Sequence, residues 1–188
     1  MRITGGEHRS RTLEAPRGSA TRPTSDRVRE ALFAILGSAR EFVGLRVLDL
    51  YAGTGALAFE ALSRGAAHAT VVESARPALQ AIDANARALG LVSRVRVVPT
   101  AVERSVVAIR RTGPFDLVFA DPPYALVTNG VAPRALAELL DGESLAPGAS
   151  LVLEHAKADA APPLPGLRLD DTRRYGDTSL SFYVWDPL

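Results

Sequence analysis

Asp121-Pro122-Pro123-Tyr124 follows the apolar run Phe115-Asp-Leu-Val-Phe-Ala120, and these residue types could hold a planar exocyclic amine for methylation. Two successive prolines fix φ, supply no N–H donors and leave their carbonyls projecting. The turn therefore offers a carboxylate and a backbone acceptor at one rigid spot. Asp121 and the Pro122 carbonyl would accept the amine hydrogens, while Tyr124 adds a ring on which a base can stack. A Pro-Pro turn after a strand also serves as plain punctuation, so the upstream residues decide whether it has a chemical task.

Upstream, Arg46-Val-Leu-Asp49-Leu-Tyr51-Ala-Gly53-Thr-Gly55-Ala-Leu-Ala58 runs from a buried-strand pattern through a glycine-rich turn into a helix. Gly53 and Gly55 let the backbone approach a ligand closely at a helix N-terminus. Glu73 closes the next apolar run, which begins at His68, and a carboxylate there can reach ribose hydroxyls. Gly-x-Gly-x-x-Ala with a later acid also suits a dinucleotide such as NAD. Asp49 tilts the balance. An acid four residues before the first glycine would repel a pyrophosphate but balance a cationic amino-acid group, and S-adenosylmethionine has that group and no phosphate.

Together these segments resemble the class I S-adenosylmethionine methyltransferases of the Asp-Pro-Pro-Tyr amino-methylating kind. Met1-Arg-Ile-Thr-Gly5-Gly6-Glu-His-Arg9-Ser-Arg11-Thr-Leu13 and Thr21-Arg22-Pro23-Thr24-Ser25-Asp26-Arg27-Val28-Arg29-Glu30-Ala-Leu-Phe33 narrow the resemblance. They are similar to the bacterial 16S ribosomal RNA guanine-N2 methyltransferase family, the RsmD-like group. Tyr175-Gly176-Asp177-Thr178 extends the likeness over essentially the whole chain. The resemblance implies S-adenosylmethionine as cofactor, contacted by Asp49, Tyr51, Gly53 and Gly55, with Glu73 on the ribose and Ala101 near the adenine. It implies that the Arg22 to Asp26 segment, including Thr24, folds over the cofactor. Asp121, Pro122 and Tyr124 would be the catalytic residues, acting on a guanine of 16S RNA in the small subunit or its assembly intermediate. Many relatives carry Asp or Asn after the third strand. Here that stretch is Val98-Pro99-Thr100-Ala101, so backbone N–H groups or the Thr100 hydroxyl are expected to serve, with Glu103 an alternative that otherwise belongs on an exposed helix face.

The 188 residues fit one domain, and 47% apolar residues allow a well-filled core. No apolar run approaches a membrane span, and the N-terminus is polar and arginine-rich, unlike a signal peptide; a cytoplasmic monomer is expected. With no cysteine and with His8, His68 and His155 at no ligand spacing, a metal cofactor is not expected. The formal charge of +1 hides an asymmetry, because residues 1–30 carry seven Arg against four acids, whereas the remainder holds 15 basic and 17 acidic residues. Arginine grips phosphate through a planar fork and stacks on bases, so Arg9, Arg11 and Arg27 are candidate RNA contacts. The chain has 21 Arg and a single Lys, which weakens an argument from Arg identity but does not explain the clustering.

These residues must be positioned by alternating elements. A small hairpin is predicted around Gly5-Gly6 over residues 2–13, then a loop, then a helix capped by Ser25 and stopped at Gly37. Strands follow at 46–51, 68–73, 94–98, 115–120 and 150–155, with helices at 55–64, 75–89, 101–111 and near 132–141. The final stretch, Leu167 to Trp185, forms two β-rich runs around Gly176. This is the pattern of an α/β, Rossmann-like, doubly wound and mostly parallel sheet, and the resemblance adds a C-terminal antiparallel hairpin and a small N-terminal extension. Residues 1–37 are expected to bind RNA and cover the cofactor and residues 38–188 to carry catalysis, the two forming one compact unit. His155, at the end of the fifth strand, reads as a hydrogen-bonded structural histidine or a pocket residue, and Arg173-Arg174 as solvated or RNA-touching. Competing readings are an adenine-N6 DNA methyltransferase, disfavoured because no target-recognition domain is evident, and a non-catalytic RNA-binding ribosome-assembly factor, disfavoured by the intact acids and glycines.

Overall fold

The computed structural model describes residues 1–16 and 26–186. Ser25, Arg22 and Thr24, the expected cap and cofactor-lid residues, lie outside the described residues. Helix α1 (Asp26–Ala39) leads into β1 (Arg46–Leu50), α2 (Ala56–Ser63), β2 (His68–Val72), α3 (Arg76–Ala88) and β3 (Val95–Val98). Then come α4 (Val106–Arg110), β4 (Phe115–Ala120), α5 (Tyr124–Thr128), α6 (Val131–Leu139), β5 (Leu145–Ala156), β6 (Leu167–Tyr175) and β7 (Thr178–Trp185).

The strands make one seven-stranded sheet in the order β3-β2-β1-β4-β5-β7-β6. The first five run parallel, and β7 joins β5 and β6 antiparallel. Successive strand residues face opposite sides of a sheet, and both sides are buried here. Val47, Val71, Leu117 and Phe119 pack with Phe33, Phe59 and Ile82 on one side. Leu48, Leu50, Val118 and Leu151 pack with Ile109, Leu136 and Leu139 on the other. Strands covered on both faces read as near-continuous apolar runs, which is why they are visible in the sequence.

The chain winds outward from β1 to β3 and then returns to place β4 on the other side of β1, so a crevice opens between the carboxyl ends of β1 and β4. Register aligns five strand ends there: Val98 with Val72, Val72 with Leu50, Leu50 with Ala120, and Ala120 with Leu153. The next residues along β2, β1, β4 and β5 are Glu73, Tyr51, Asp121 and Glu154.

Several expected boundaries are corrected. Gly37 does not stop α1, which continues to Ala39; a helical glycine costs only about 1 kcal/mol, and the bare Cα leaves space beside the Phe42 ring. The helix expected over 101–111 is broken into a 3₁₀ turn at Val102–Arg104 and the short α4. At the break the Ser105 hydroxyl donates to the Val102 carbonyl at 2.7 Å, the local competition by which serine leaves helix interiors. Helix α5 was not anticipated; the Pro-Pro turn ends directly in it, with Pro123 as its N-cap. Strand β5 begins at Leu145, five residues earlier than expected, with a register irregularity against β4 between Phe115 and Leu117.

The expected N-terminal hairpin is a compact turn closed by one bridge between Arg2 and Thr12. It is bolted to α2 by Glu60, which is fully buried. The Glu60 carboxylate accepts from the Thr4 N–H and hydroxyl, both at 2.7 Å, and from Arg64 Nε at 2.9 Å. Arg29 of α1, itself 1% exposed, stands 3.5 Å from Glu60 and also donates to Asp26 and to the Arg2 carbonyl.

Candidate active site

A cleft of about 760 Å³ occupies the crevice at the strand ends. Asp49, Tyr51, Gly53, Glu73, Ala101, Asp121, Pro122 and Tyr124, all expected from sequence, line it together. Gly55 does not line it. It turns the chain into α2 with φ 74°, and a Cβ there would stand 2.8 Å from the Phe59 ring, so its smallness serves the packing behind the wall. Arg9, Arg11 and Arg27 are exposed and away from the cleft lining. Arg11 is tied down, donating to the Ala88 carbonyl at 2.8 Å.

The loop after β1 is held from two sides. Tyr51 takes the left-handed conformation at φ 58°, uncommon for a residue with a side chain and of the kind that collects at functional sites. Glu73 Oε2 accepts from the Gly53 N–H at 2.8 Å, while Oε1 accepts from the N–H groups of Ser74 and Ala75, both at 2.7 Å. Buried Asn85 of α3 donates to the Thr54 carbonyl at 3.2 Å and to that of Glu14 at 3.1 Å, joining the N-terminal segment to the glycine loop.

Asp49 is 1% exposed, on the sheet face that carries the Val47 and Val71 side chains. Its Oδ2 accepts from the Ala58 N–H at 3.1 Å, but Oδ1 is buried with no donor among the described residues. Burial pushes the Asp49 carboxyl well above the ordinary carboxylate range; the Ala58 N–H partly opposes this, and the charges of Asp121 and Glu73 add to it. Tyr51 donates to Glu103 at 3.0 Å, and burial followed by that carboxylate pushes the phenol up. Glu103 lines the cleft from an exposed position on the 3₁₀ turn, so it is exposed, as expected, and also within reach of the side expected to face adenine, the alternative the sequence left open.

At the other end, the Tyr124 hydroxyl lies 2.6 Å from Thr178 Oγ1 and 3.3 Å from Glu154 Oε1. Burial raises the Tyr124 phenol, and the charges of Glu154 and Asp121 add to this against the Thr178 hydrogen bond. Glu154, Thr178, Arg29 and Met1 were not singled out as site residues from sequence. The rule that picked Asp121, an acid at the carboxyl end of a strand, would also have picked Glu154. His155 is 1% exposed and turned away from the cleft, bonded to Ser181 Oγ at 2.8 Å and to the Ala156 carbonyl at 3.0 Å. Arg173 pairs with Asp171 at 2.5 Å on an exposed face of β6. A smaller cavity of about 320 Å³ at the opposite ends of the strands collects Arg46, Arg94, Arg96 and Arg111 and, among the described residues, no carboxylate.

A doubly wound sheet with this strand order and an antiparallel closing pair is the class I methyltransferase fold. Residues 1–184 match the family described as Conserved hypothetical protein 95, and the chain belongs to that family. YlbH of Bacillus subtilis is 36% identical over 187 residues, spanning 97% of this chain and 98% of that protein. Ribosomal RNA small subunit methyltransferase D of Escherichia coli is 38% identical over 165 residues, spanning 88% of this chain and 79% of that enzyme. The solved structure of yhhF from Escherichia coli superposes with a TM-score of 0.85 at 35% identity, covering 100% of this chain and 99% of that one.

Proposed function

We propose that this chain transfers a methyl group from S-adenosylmethionine to the exocyclic N2 amine of one guanine in the 16S RNA of the small ribosomal subunit. The observation that carries the reading is the row of Glu73, Tyr51 and Asp121 at adjoining strand ends, backed by a buried Asp49 oxygen with no donor among the described residues. A buried acceptor without a donor costs stability and calls for a cationic or N–H-bearing ligand group. The amino-acid ammonium of S-adenosylmethionine is such a group. Among the described residues five carboxylates and one arginine line the cleft, a balance that would repel the pyrophosphate of NAD.

Asp49 and the Gly53 turn would hold the amino-acid portion. Glu73 Oε2, with one backbone donor already in place, has lone-pair capacity for a ribose hydroxyl. The segment from Thr100 to Val102 would face the adenine, with backbone groups in place of the acid that many relatives carry. The bound cofactor supplies a methyl group on a sulfonium that needs no further activation. The protein's task is to turn the guanine amine, whose lone pair is delocalised into the ring, toward that methyl. Asp121 and the Pro122 carbonyl accept its N–H groups and favour the tetrahedral nitrogen, most strongly as positive charge develops there. Asp121 then receives the proton, directly or through water. Tyr124 stacks on a base extruded from its helix.

In this reading residues 1–37 engage RNA and cover the cofactor, and residues 38–188 carry out transfer. The names of the small-subunit relatives support the RNA substrate. Calorimetry with S-adenosylmethionine, its demethylated product and NAD tests the cofactor, and mass mapping of ribosomal RNA from cells lacking the protein tests the target. Tight NAD binding without a response to S-adenosylmethionine, or an unchanged guanine map, would overturn the assignment.

A further inference from the structure

We propose that Glu154 selects the base, its carboxylate accepting the N1–H of the guanine whose N2 amine is held by Asp121. The proposal rests on the guanine-N2 reading above and deepens it. Register is the first support. Ala120 pairs with Leu153 across neighbouring parallel strands, so Asp121 and Glu154 are the next residues along two strands about 4.8 Å apart. Both line the same cleft, and the Tyr124 phenol feels the charge of each. The second support is how Glu154 is held. It is 9% exposed and is approached by the Tyr124 hydroxyl at 3.3 Å, which is itself fixed 2.6 Å from Thr178 Oγ1. A carboxylate restrained in this way has little freedom to retreat from a base stacked on Tyr124.

The chemistry of the base edge supplies the rest. An ionised carboxylate is an acceptor only. Two of them side by side suit an edge that shows adjacent donors, and guanine shows its N2 amine beside N1–H. Adenine shows its N6 amine beside an N1 that is itself an acceptor, so Glu154 would face it lone pair to lone pair with its charge uncompensated. Asp121 therefore defines the reacting group as an amine, and Glu154 defines which base bears it. This pair also separates the leading reading from adenine-N6 methylation, which makes the same demand on the Asp-Pro-Pro-Tyr turn.

The test uses a small-subunit RNA fragment spanning the methylated guanine, ligated with guanine, 2-aminopurine or 2,6-diaminopurine at that position. All three keep the 2-amine, and only guanine has N1–H. Wild-type protein should transfer labelled methyl to guanine faster than to either analogue by roughly 10⁴-fold, the scale on which a site built around a hydrogen bond rejects a partner lacking it. Glu154→Gln can present either an oxygen or an N–H, and should shrink that ratio about tenfold while cofactor affinity is retained. Equal wild-type rates on guanine and 2,6-diaminopurine would overturn the proposal without any variant, even if Glu154→Gln fails to fold. A Glu154→Gln variant that slows all three substrates by one common factor would reduce Glu154 to a structural residue and also overturn it. Wild-type transfer to a different RNA atom, with none to the guanine amine, would instead overturn the guanine-N2 reading on which the proposal stands.

Discussion

Replacing Asp49 by Asn should stabilise the ligand-free protein and cripple its hold on the cofactor. Asn keeps an oxygen for the Ala58 N–H, now 3.1 Å from Oδ2, and removes a charge whose other oxygen is buried without a donor. The neutral amide NH2 takes the place of that oxygen, so the gain is the removed charge, whose burial costs more than the loss of about 1–3 kcal/mol for a neutral unsatisfied group, and for a chain of this size each kcal/mol moves Tm by about 2–4 °C. The ligand-free variant should therefore melt several degrees higher at neutral pH. The sign of the pH dependence follows from the raised carboxyl. The folded protein holds the Asp49 proton more tightly than the unfolded chain, so the Asp49 contribution to stability is fully present below the ordinary value of 3.8 and is lost as pH rises through the folded value. The Asn variant should lose that slope. A charge-assisted hydrogen bond to the cofactor ammonium is worth about 1.5–3 kcal/mol, so the cofactor Kd should rise roughly 10- to 150-fold. For the wild type, cofactor affinity should strengthen with pH over the range in which free Asp49 ionises. Calorimetry and thermal melts with and without S-adenosylmethionine read all of this. An Asn variant with unchanged Kd, or one that melts lower when ligand-free, would refute the argument.

Asp121→Ala should lower kcat and kcat/KM together by about 10²–10³ while calorimetry finds cofactor affinity nearly unchanged; near-normal turnover would remove Asp121 from the chemistry. Glu60→Ala should cost about 3–5 kcal/mol in denaturant unfolding, because it takes one of two carboxylates from buried Arg29 and releases Thr4 and Arg64; a loss under 1 kcal/mol would show that the N-terminal turn is held elsewhere. Arg9→Ala should weaken small-subunit RNA binding and reduce the salt slope by about 1 with cofactor titration unaltered; Arg9 is the sharper probe because Arg11 is bonded to Ala88. An unchanged slope would move the RNA surface to other arginines.

The strands and the cofactor loop were legible because parallel strands buried on both faces leave apolar runs, and the acid or glycine that ends each run stands out against them. What escaped depended on neighbours distant in sequence. Glu154 gains meaning only once β5 lies beside β4, a pairing of residues more than thirty apart. Arg29 and Glu60 read as ordinary helix-surface charges until α1 and the N-terminal turn close over α2. Gly55, expected at the ligand, stands off the cleft lining against the Phe59 ring, a contact the sequence does not show. The helix expected over 101–111 runs through Ser105, whose hydroxyl bonds back to Val102 where the helix breaks.

The position of β7 has a consequence for how the molecule is made. It is the last strand in sequence, yet it lies inside the sheet between β5 and β6, and it brings Thr178 to the Tyr124 hydroxyl. Domains generally fold from the N-terminus as they are synthesised, so a nascent chain can assemble β1 to β4, the glycine loop and the Asp49 pocket while β7 is still within the translating ribosome. The rim around Tyr124 and Glu154 must wait. The half of the cleft assigned to the cofactor matures before the half assigned to the base, and a partly synthesised chain could hold the methyl donor while its pocket for RNA is unfinished.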